Sequence, residues 1–238
     1  MRLTIERLGH LGDGIAAGPV FVPRTLPGEI VEGEVSNGLM AAPSIVTPSV
    51  HRRRAPCKHY GACGGCSLMH ATDSFVAEWK IEVVRSALDA HGIHTAIEGI
   101  STSPERSRRR AALSGRRTKS GAIVGFHGRA SETLVDVTDC HLLHSELVAV
   151  LRVLRQITVT GASRKVELSL VVTKTEDGLD LAVSGGKPME SALFGQLAGM
   201  AESADIARIS WDGEVLAARR PARLRFGNRR HLAGRGRA

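Results

Sequence analysis

Apolar residues at the start of the chain fall in short runs, each closed by proline or glycine: L-T-I-E-R-L, then V-F-V, E-I-V-E-G-E-V and S-I-V-T. Runs this short, with turn residues at regular intervals, predict strands rather than helices. A set of such strands removes its exposed edges by closing into a barrel. Residues 1–54 are therefore read as a small all-β barrel; a sandwich is the alternative, although about fifty residues is short for one. The period changes at Asp73. From there Phe75, Val76, Trp79, Ile81, Val83, Val84, Ala87 and Leu88 recur at helical spacing, with Asp73 as a cap and Gly92 as a stop signal. Trp79 lies on the apolar side of that helix and is assigned to packing.

Strand character returns in R-S-R-R-R-A-A-L-S-G, A-I-V-G-F and L-V-D-V-T-D-C. H-S-E-L-V-A-V-L-R-V-L-R-Q-I has the spacing of an amphipathic helix. V-E-L-S-L-V-V-T-K-T-E-D-G-L-D-L-A-V-S-G predicts a hairpin whose turn holds Asp177-Gly178. A helical stretch follows near 189–202, then a second hairpin turning at Asp212-Gly213. The pattern divides the chain into a barrel (1–54), a cysteine segment with its helix (55–95), a central domain of mixed antiparallel sheet and helix (96–226), and an arginine- and glycine-rich tail (227–238). The tail has no hydrophobic period and is read as disordered. The fold class is α+β with an N-terminal all-β barrel.

Composition narrows this picture. Hydrophobic residues make up 42% but aromatics only 3%, so the cores must be aliphatic. No run approaches the roughly 18 apolar residues of a membrane span, and M-R-L-T-I-E-R-L-G-H lacks a signal peptide's apolar block. A cytoplasmic monomer with no membrane partner is expected. The net charge of +8 suggests a polyanion partner, but it is unevenly placed. Residues 219–238 hold eight arginines and no acid; without them 24 basic residues face 24 acidic ones. Nucleic-acid binding must therefore be argued from local clusters.

The chemistry concentrates in A-P-C-K-H-Y-G-A-C-G-G-C-S-L-M-H. Cys57, Cys63 and Cys66 lie there, and Cys140 is the fourth and last cysteine. Disulfides are disfavoured without a sign of secretion. Unrelated buried thiols remain an alternative. Gly61, Gly64 and Gly65 let the backbone wrap closely and turn sulfurs inward, which favours metal coordination. Four thiolates suit either zinc or an iron–sulfur cluster. Zinc commonly uses two C-x2-C knuckles and only one is present, so three close ligands plus a distant one favour [4Fe–4S]. His59, His70 and His141 are read as neighbours of the ligands.

This segment resembles the iron–sulfur motif of bacterial RNA uracil-C5 methyltransferases, which act on 23S rRNA and tRNA. Before it, G-x-G-I-A-x-G, V-F-V-P, L-P-G-E and V-x-P-S-x-x-R resemble that family's N-terminal TRAM domain, an OB-like barrel that binds RNA. After it, R-R-R-A-A-L-S, V-G-F and D-V-T-D-C-H-L-L resemble its central domain. The resemblance covers about residues 1–226 and implies that Cys57, Cys63, Cys66 and Cys140 hold the cluster. It also implies S-adenosylmethionine-dependent chemistry, in which a cysteine thiolate adds to uracil C6 and a carboxylate later removes the C5 proton.

All four cysteines are taken by the cluster in that reading, and no βαβ series with a glycine-rich turn follows residue 215. G12-D-G-I-A-A-G18 lies in the barrel and has the wrong spacing for a dinucleotide fingerprint. The catalytic Rossmann-like domain is therefore expected to be missing, the chain inactive alone, and its ending the product of a frameshift or early stop. No catalytic or S-adenosylmethionine-binding residue is assigned. A stand-alone RNA-binding protein and a zinc-binding ribosome-associated module are the alternatives.

RNA, ribosomal or transfer, is the expected partner. Arg52, Arg53 and Arg54 form one basic run. Arg106, Arg108, Arg109, Arg110, Arg116, Arg117 and Lys119 form another, beside a single acid, Glu105. Phe21, Tyr60, Phe126 and Trp211 are the candidate stacking platforms. Asp136 and Asp139 are read as positioning the loop that carries Cys140.

Overall fold

A computed structural model describes residues 1–226 and 229–232. The chain forms two units: Met1–Tyr60 with Cys66–Thr102, and Gly61–Gly65 with the chain from Ser103 onward.

The first unit opens with β1 (Arg2–Leu8), β2 (Gly14–Ala16), β3 (Val20–Val22), β4 (Ile30–Glu32) and β5 (Ser44–Thr47), antiparallel in the order β3-β2-β1-β4-β5. Alternation selects the buried set: Ile5, Ala16, Val20, Val22, Val31 and Met40 form one cluster. The outer edge of β3 is not left bare. Phe21 N–H donates to Gly38 O at 2.8 Å, and Met40 N–H donates to Phe21 O at 2.9 Å. The expected barrel is thus a five-stranded sheet whose strand pairing ends at β3 and β5, with residues 38–40 seated along the β3 edge.

Helix α1 (Asp73–Asp89) completes this unit. Its cap position is Thr72, one residue before the expected Asp73, which instead pairs with Arg53. Gly92 ends it as expected: its φ of +70° allows Ile93 N–H to reach back to Leu88 O. Phe75, Val76 and Trp79 are half-buried against Leu8, Leu26 and Ala71, so Trp79 packs as read. Val84, on the last turns, is 51% exposed.

The second unit contains β6 (Arg110–Arg117), β7 (Ala122–His127), β8 (Leu134–Asp136), α2 (Ser145–Ala149), α3 (Leu151–Gly161), β9 (Leu168–Thr175), β10 (Gly178–Ser184), α4 (Ser191–Ser203), β11 (Ile206–Trp211), β12 (Glu214–Ala218), β13 (Arg223–Phe226) and β14 (Arg229–Leu232). Seven strands form one sheet in the order β12-β11-β10-β9-β6-β7-β8. Every pair is antiparallel except β10 and β11, which run parallel because α4 carries the chain across between them. The single helix read from residue 144 onward is two, meeting at Val150.

Both hairpins form, with one difference. Asp212-Gly213 is the two-residue turn of β11–β12, both residues at positive φ (45° and 90°). In β9–β10 the turn residues are Glu176-Asp177, and Gly178, at φ +123°, already pairs with Thr175 as the first residue of β10. Arg229–Leu232, within the segment expected to be a disordered tail, pairs with β13 as β14. Residues 227, 228 and 233–238 of that segment lie outside the described residues.

The core lies on one face of the sheet. Leu113, Leu170, Leu181 and Ile209 meet Leu154 and Ile157 of α3 and Leu197 of α4. On the other face the register aligns Ser114, Ser169 and Ser184 in a row across β6, β9 and β10. A second row aligns Ala112, Val171, Ala182 and Ser210, and a third Arg110, Thr173, Asp180 and Arg208.

Candidate nucleic-acid interface

The two basic runs divide by what their neighbours do to them. Arg52 is held inside the first unit. It makes a two-pronged pair with Glu29, whose side chain is fully buried, and donates to Arg24 O at 2.8 Å. Burial alone would raise the Glu29 pKa, but Arg52 and the N–H groups of Ser49 and Leu26 overcome it and hold the carboxylate below its ordinary range. Arg53 is similarly engaged, bidentate on Asp73 at 2.8 and 3.3 Å. Of that run only Arg54 is exposed. Arg52 and Arg53 are thus paired with acids of their own unit, although the sequence presents them as equivalent to Arg54.

The second run divides the same way. Arg106 pairs with Asp139, Arg116 with Glu167, and Arg117 reaches Ala162 O at 3.5 Å. Arg108, Arg109, Arg110 and Lys119 are exposed, and none has a carboxylate partner among the described residues. Backbone bonds fix the three arginines in place: Arg108 N–H donates to Leu142 O at 2.9 Å, and Lys174 N–H to Arg109 O at 2.7 Å. Three adjacent cations on a hydrogen-bonded backbone, free of internal acids among the described residues, stand available to a polyanion.

The stacking platforms read from sequence also divide. Trp211 is 3% exposed, lies against Gly161 and Gly186, and donates its ring N–H to Lys187 O at 3.1 Å. Tyr60 is 8% exposed. Neither can offer a face to a base. Phe21 is exposed and Phe126 half-buried.

Cys57 and Cys66 belong to the first unit, Cys63 and Cys140 to the second; all four are free thiols, half-buried. Among the described residues no group of three or more His, Cys, Asp or Glu side chains is gathered at metal-binding distance. The surroundings of each thiol are nonetheless specific. Gly64 N–H donates to His127 O at 2.9 Å, and a Cβ on Gly64 would stand 2.7 Å from that oxygen and 2.9 Å from Arg129 N. Glycine is therefore required for this loop to lie against the end of β7. Gly65 N–H points at Cys63 Sγ at 3.4 Å, a donor suited to a thiolate. Asp139 accepts Cys140 N–H at 2.8 Å, as its reading as a positioning residue expects, and its hydrogen bonds from Arg106 hold its pKa below the ordinary range. Asp136 accepts from Val124 N–H and Arg155.

Two features of the first unit carry no sequence signal. One is Glu29, whose partners lie up to 23 positions away. The other is a buried clamp over the cysteine segment: the Tyr60 hydroxyl donates to Ser67 O at 2.6 Å and meets His70 Nδ1 at 2.6 Å. His70 is 3% exposed, and its Nε2 has no hydrogen-bond partner among the described residues. Burial, helped by the charge of Arg52, lowers its pKa to about 4. The folded chain thus refuses a proton that the unfolded chain accepts near pH 6.5. Stability of this unit is expected to be complete above about pH 6.5 and to fall as pH descends to about 4, by up to roughly 3 kcal/mol. Urea melts at pH 7.5 and 5.0 measure this, and His70→Gln should flatten the difference.

No protein-family model matches the chain. An RNA methyltransferase of Brucella suis is 32% identical over 229 residues, covering 95% of this chain and 55% of that protein. One of Caulobacter vibrioides is 35% identical over 238 residues, covering 94% and 57%. The 23S rRNA (uracil(1939)-C(5))-methyltransferase RlmD of Halomonas elongata is 36% identical over 166 residues, covering 65% and 34%. In fold, the chain is similar to the Pyrococcus abyssi tRNA (uracil-54, C5)-methyltransferase, crystallised with S-adenosyl-L-homocysteine. The TM-score is 0.70 at 19% identity, over 99% of this chain and 60% of that one. Over the length it has, the chain belongs to the RNA methyltransferase family.

The chain spans about 55% of the curated relatives it matches first. One expectation is corrected by these matches. The sequence reading expects the catalytic part to be absent. A protein crystallised with S-adenosyl-L-homocysteine aligns with 99% of the chain, so that absence is withdrawn. No helix among the described residues is long and apolar enough to cross a membrane.

Proposed function

We propose that this chain supplies RNA binding to an S-adenosylmethionine-dependent RNA (uracil-C5) methyltransferase of the cytoplasm, with ribosomal RNA as the favoured substrate and transfer RNA as the alternative. The single observation that carries this reading is the row Arg108-Arg109-Arg110, exposed and unpaired while other cations of the same runs are bound to internal acids or carbonyls. Names of the curated relatives support the reaction class. The five-stranded sheet of the first unit is read as the TRAM-type RNA-binding barrel.

Cys57, Cys63, Cys66 and Cys140 are the residues that would hold a [4Fe–4S] cluster, with zinc the alternative. The Gly65 N–H directed at Cys63 Sγ suits a thiolate ligand of either. When bound, such a group supplies a covalent cross-link between distant chain segments. Gly64 and Asp139 hold the backbone on which Cys63 and Cys140 are presented.

The test is titration of a 23S rRNA fragment and of tRNA with chain prepared anaerobically with iron and sulfide. Affinity that falls linearly with log salt supports the reading, and absent or salt-independent binding overturns it. Visible absorbance in the same preparation, lost in Cys63→Ser, supports the cluster; a colourless protein carrying zinc replaces it.

A further inference from the structure

The open face of the seven-stranded sheet differs from an ordinary solvated sheet face. Antiparallel sheets often leave one side to water, and that side then carries long charged side chains. Here the central positions are Ala112, Ser114, Ser169, Val171, Ala182, Ser184 and Ser210, brought to one side by the register of β6, β9, β10 and β11. All are exposed or half-exposed. Four strands at about 4.8 Å spacing make a smooth platform roughly 14 Å across.

Its acids are neutralised in place: Glu167, just before β9, pairs with Arg116 of β6. Asp180, an acid on this face, is 7% exposed and neutralised by Arg208 through bonds of 2.8 and 2.7 Å. Arg110 stands on the same face without an acid partner among the described residues. Hydroxyls that both donate and accept, beside an unpaired guanidinium, match sugar 2′-hydroxyls and phosphate oxygens. A protein partner would be met by aromatic anchors, and the one aromatic side chain of these four strands, Trp211, lies on the core side.

We propose that this face docks base-paired RNA across its sugar–phosphate backbone. The inference rests on the RNA-binding reading above and adds the form of RNA and the surface that meets it. No aromatic side chain of these four strands stands on the face, since Trp211 is buried on the core side. Unpaired bases therefore find nothing to stack on, whereas a duplex is recognised by shape and by contacts to 2′-hydroxyls and phosphates. Serine and alanine keep the platform low enough for a rigid helix to approach the strands.

The experiment is fluorescence anisotropy with a labelled hairpin of about 16 base pairs and an unstructured RNA of the same composition. The wild-type chain is expected to bind the stem about tenfold more tightly. Ser169→Glu with Ser184→Glu should weaken stem binding about tenfold by placing two anions under the phosphates. Ser169→Lys, equally bulky and opposite in charge, should tighten it, which guards against a folding defect in the glutamate pair. Unchanged stem affinity in both variants would overturn the docking face and leave RNA binding by Arg108–Arg110 intact. Equal wild-type affinity for stem and unstructured RNA would overturn the preference for base-paired RNA. Failure of the wild-type chain to bind either RNA would sink the RNA-binding reading itself.

Discussion

Reversing three charges at once, R108E/R109E/R110E, is expected to lower RNA affinity roughly 100-fold at low salt and to flatten its salt dependence by about three. The physical basis is counterion release. Each cation that neutralises a phosphate frees a condensed counterion, and a residue already paired with an internal acid releases far less. Arg108, Arg109 and Arg110 are exposed and unpaired among the described residues, so all three contribute. Arg116 is the internal control. It belongs to the same basic run but is bound to Glu167, and Arg116→Ala should change the salt slope little. Because the three side chains lie in solvent, the melting curve of the triple variant should overlay that of wild type. A variant that melts normally and keeps the full salt slope would remove these residues from the interface.

Arg52→Ala should behave in the opposite way, destabilising the first unit by about 3–5 kcal/mol while leaving RNA affinity per folded molecule unchanged. Glu29 is fully buried, and its carboxylate depends on Arg52 together with the N–H groups of Leu26 and Ser49. Removing the guanidinium leaves a buried anion with two neutral donors, and its pKa would rise toward the range burial favours. The unit would then unfold on mild heating, at roughly 4–8 °C of lost melting temperature per kcal/mol. Arg52→Ala combined with Glu29→Gln should recover much of the loss, because the uncompensated charge is gone. If the single variant melts like wild type but binds RNA weakly, Arg52 is an RNA contact and the structural role assigned to it is wrong.

These two predictions separate residues that the sequence presents as equivalent. In H-R-R-R and R-S-R-R-R the arginines are adjacent and look alike. Whether one is available depends on an acid elsewhere in the chain: Glu29 lies 23 positions before Arg52, and Glu167 lies 51 after Arg116. Local patterning cannot encode such distances. The Tyr60–His70 clamp was hidden for a different reason. Tyr60 lies between Cys57 and Cys63 and His70 follows Cys66, so the sequence presents one as a stacking platform and the other as a neighbour of the ligands; only the fold brings the hydroxyl within 2.6 Å of the ring. Trp211 is a similar case: its strand position is legible in the sequence, but the side it faces follows from Gly161 and Gly186 closing around the indole.

By itself the sequence determined the short strands before residue 50, helix α1 and its stop at Gly92, the Asp212-Gly213 turn, and the family. Those features rest on period and on local backbone preference, which act over a few residues. Tertiary structure alone decided which cations stay free, which rings are buried, and where the turn of β9–β10 falls. It also decided that serines from β6, β9 and β10 share one face. Each of these depends on strand register and long-range pairing, where a residue's environment is made by partners tens of positions away.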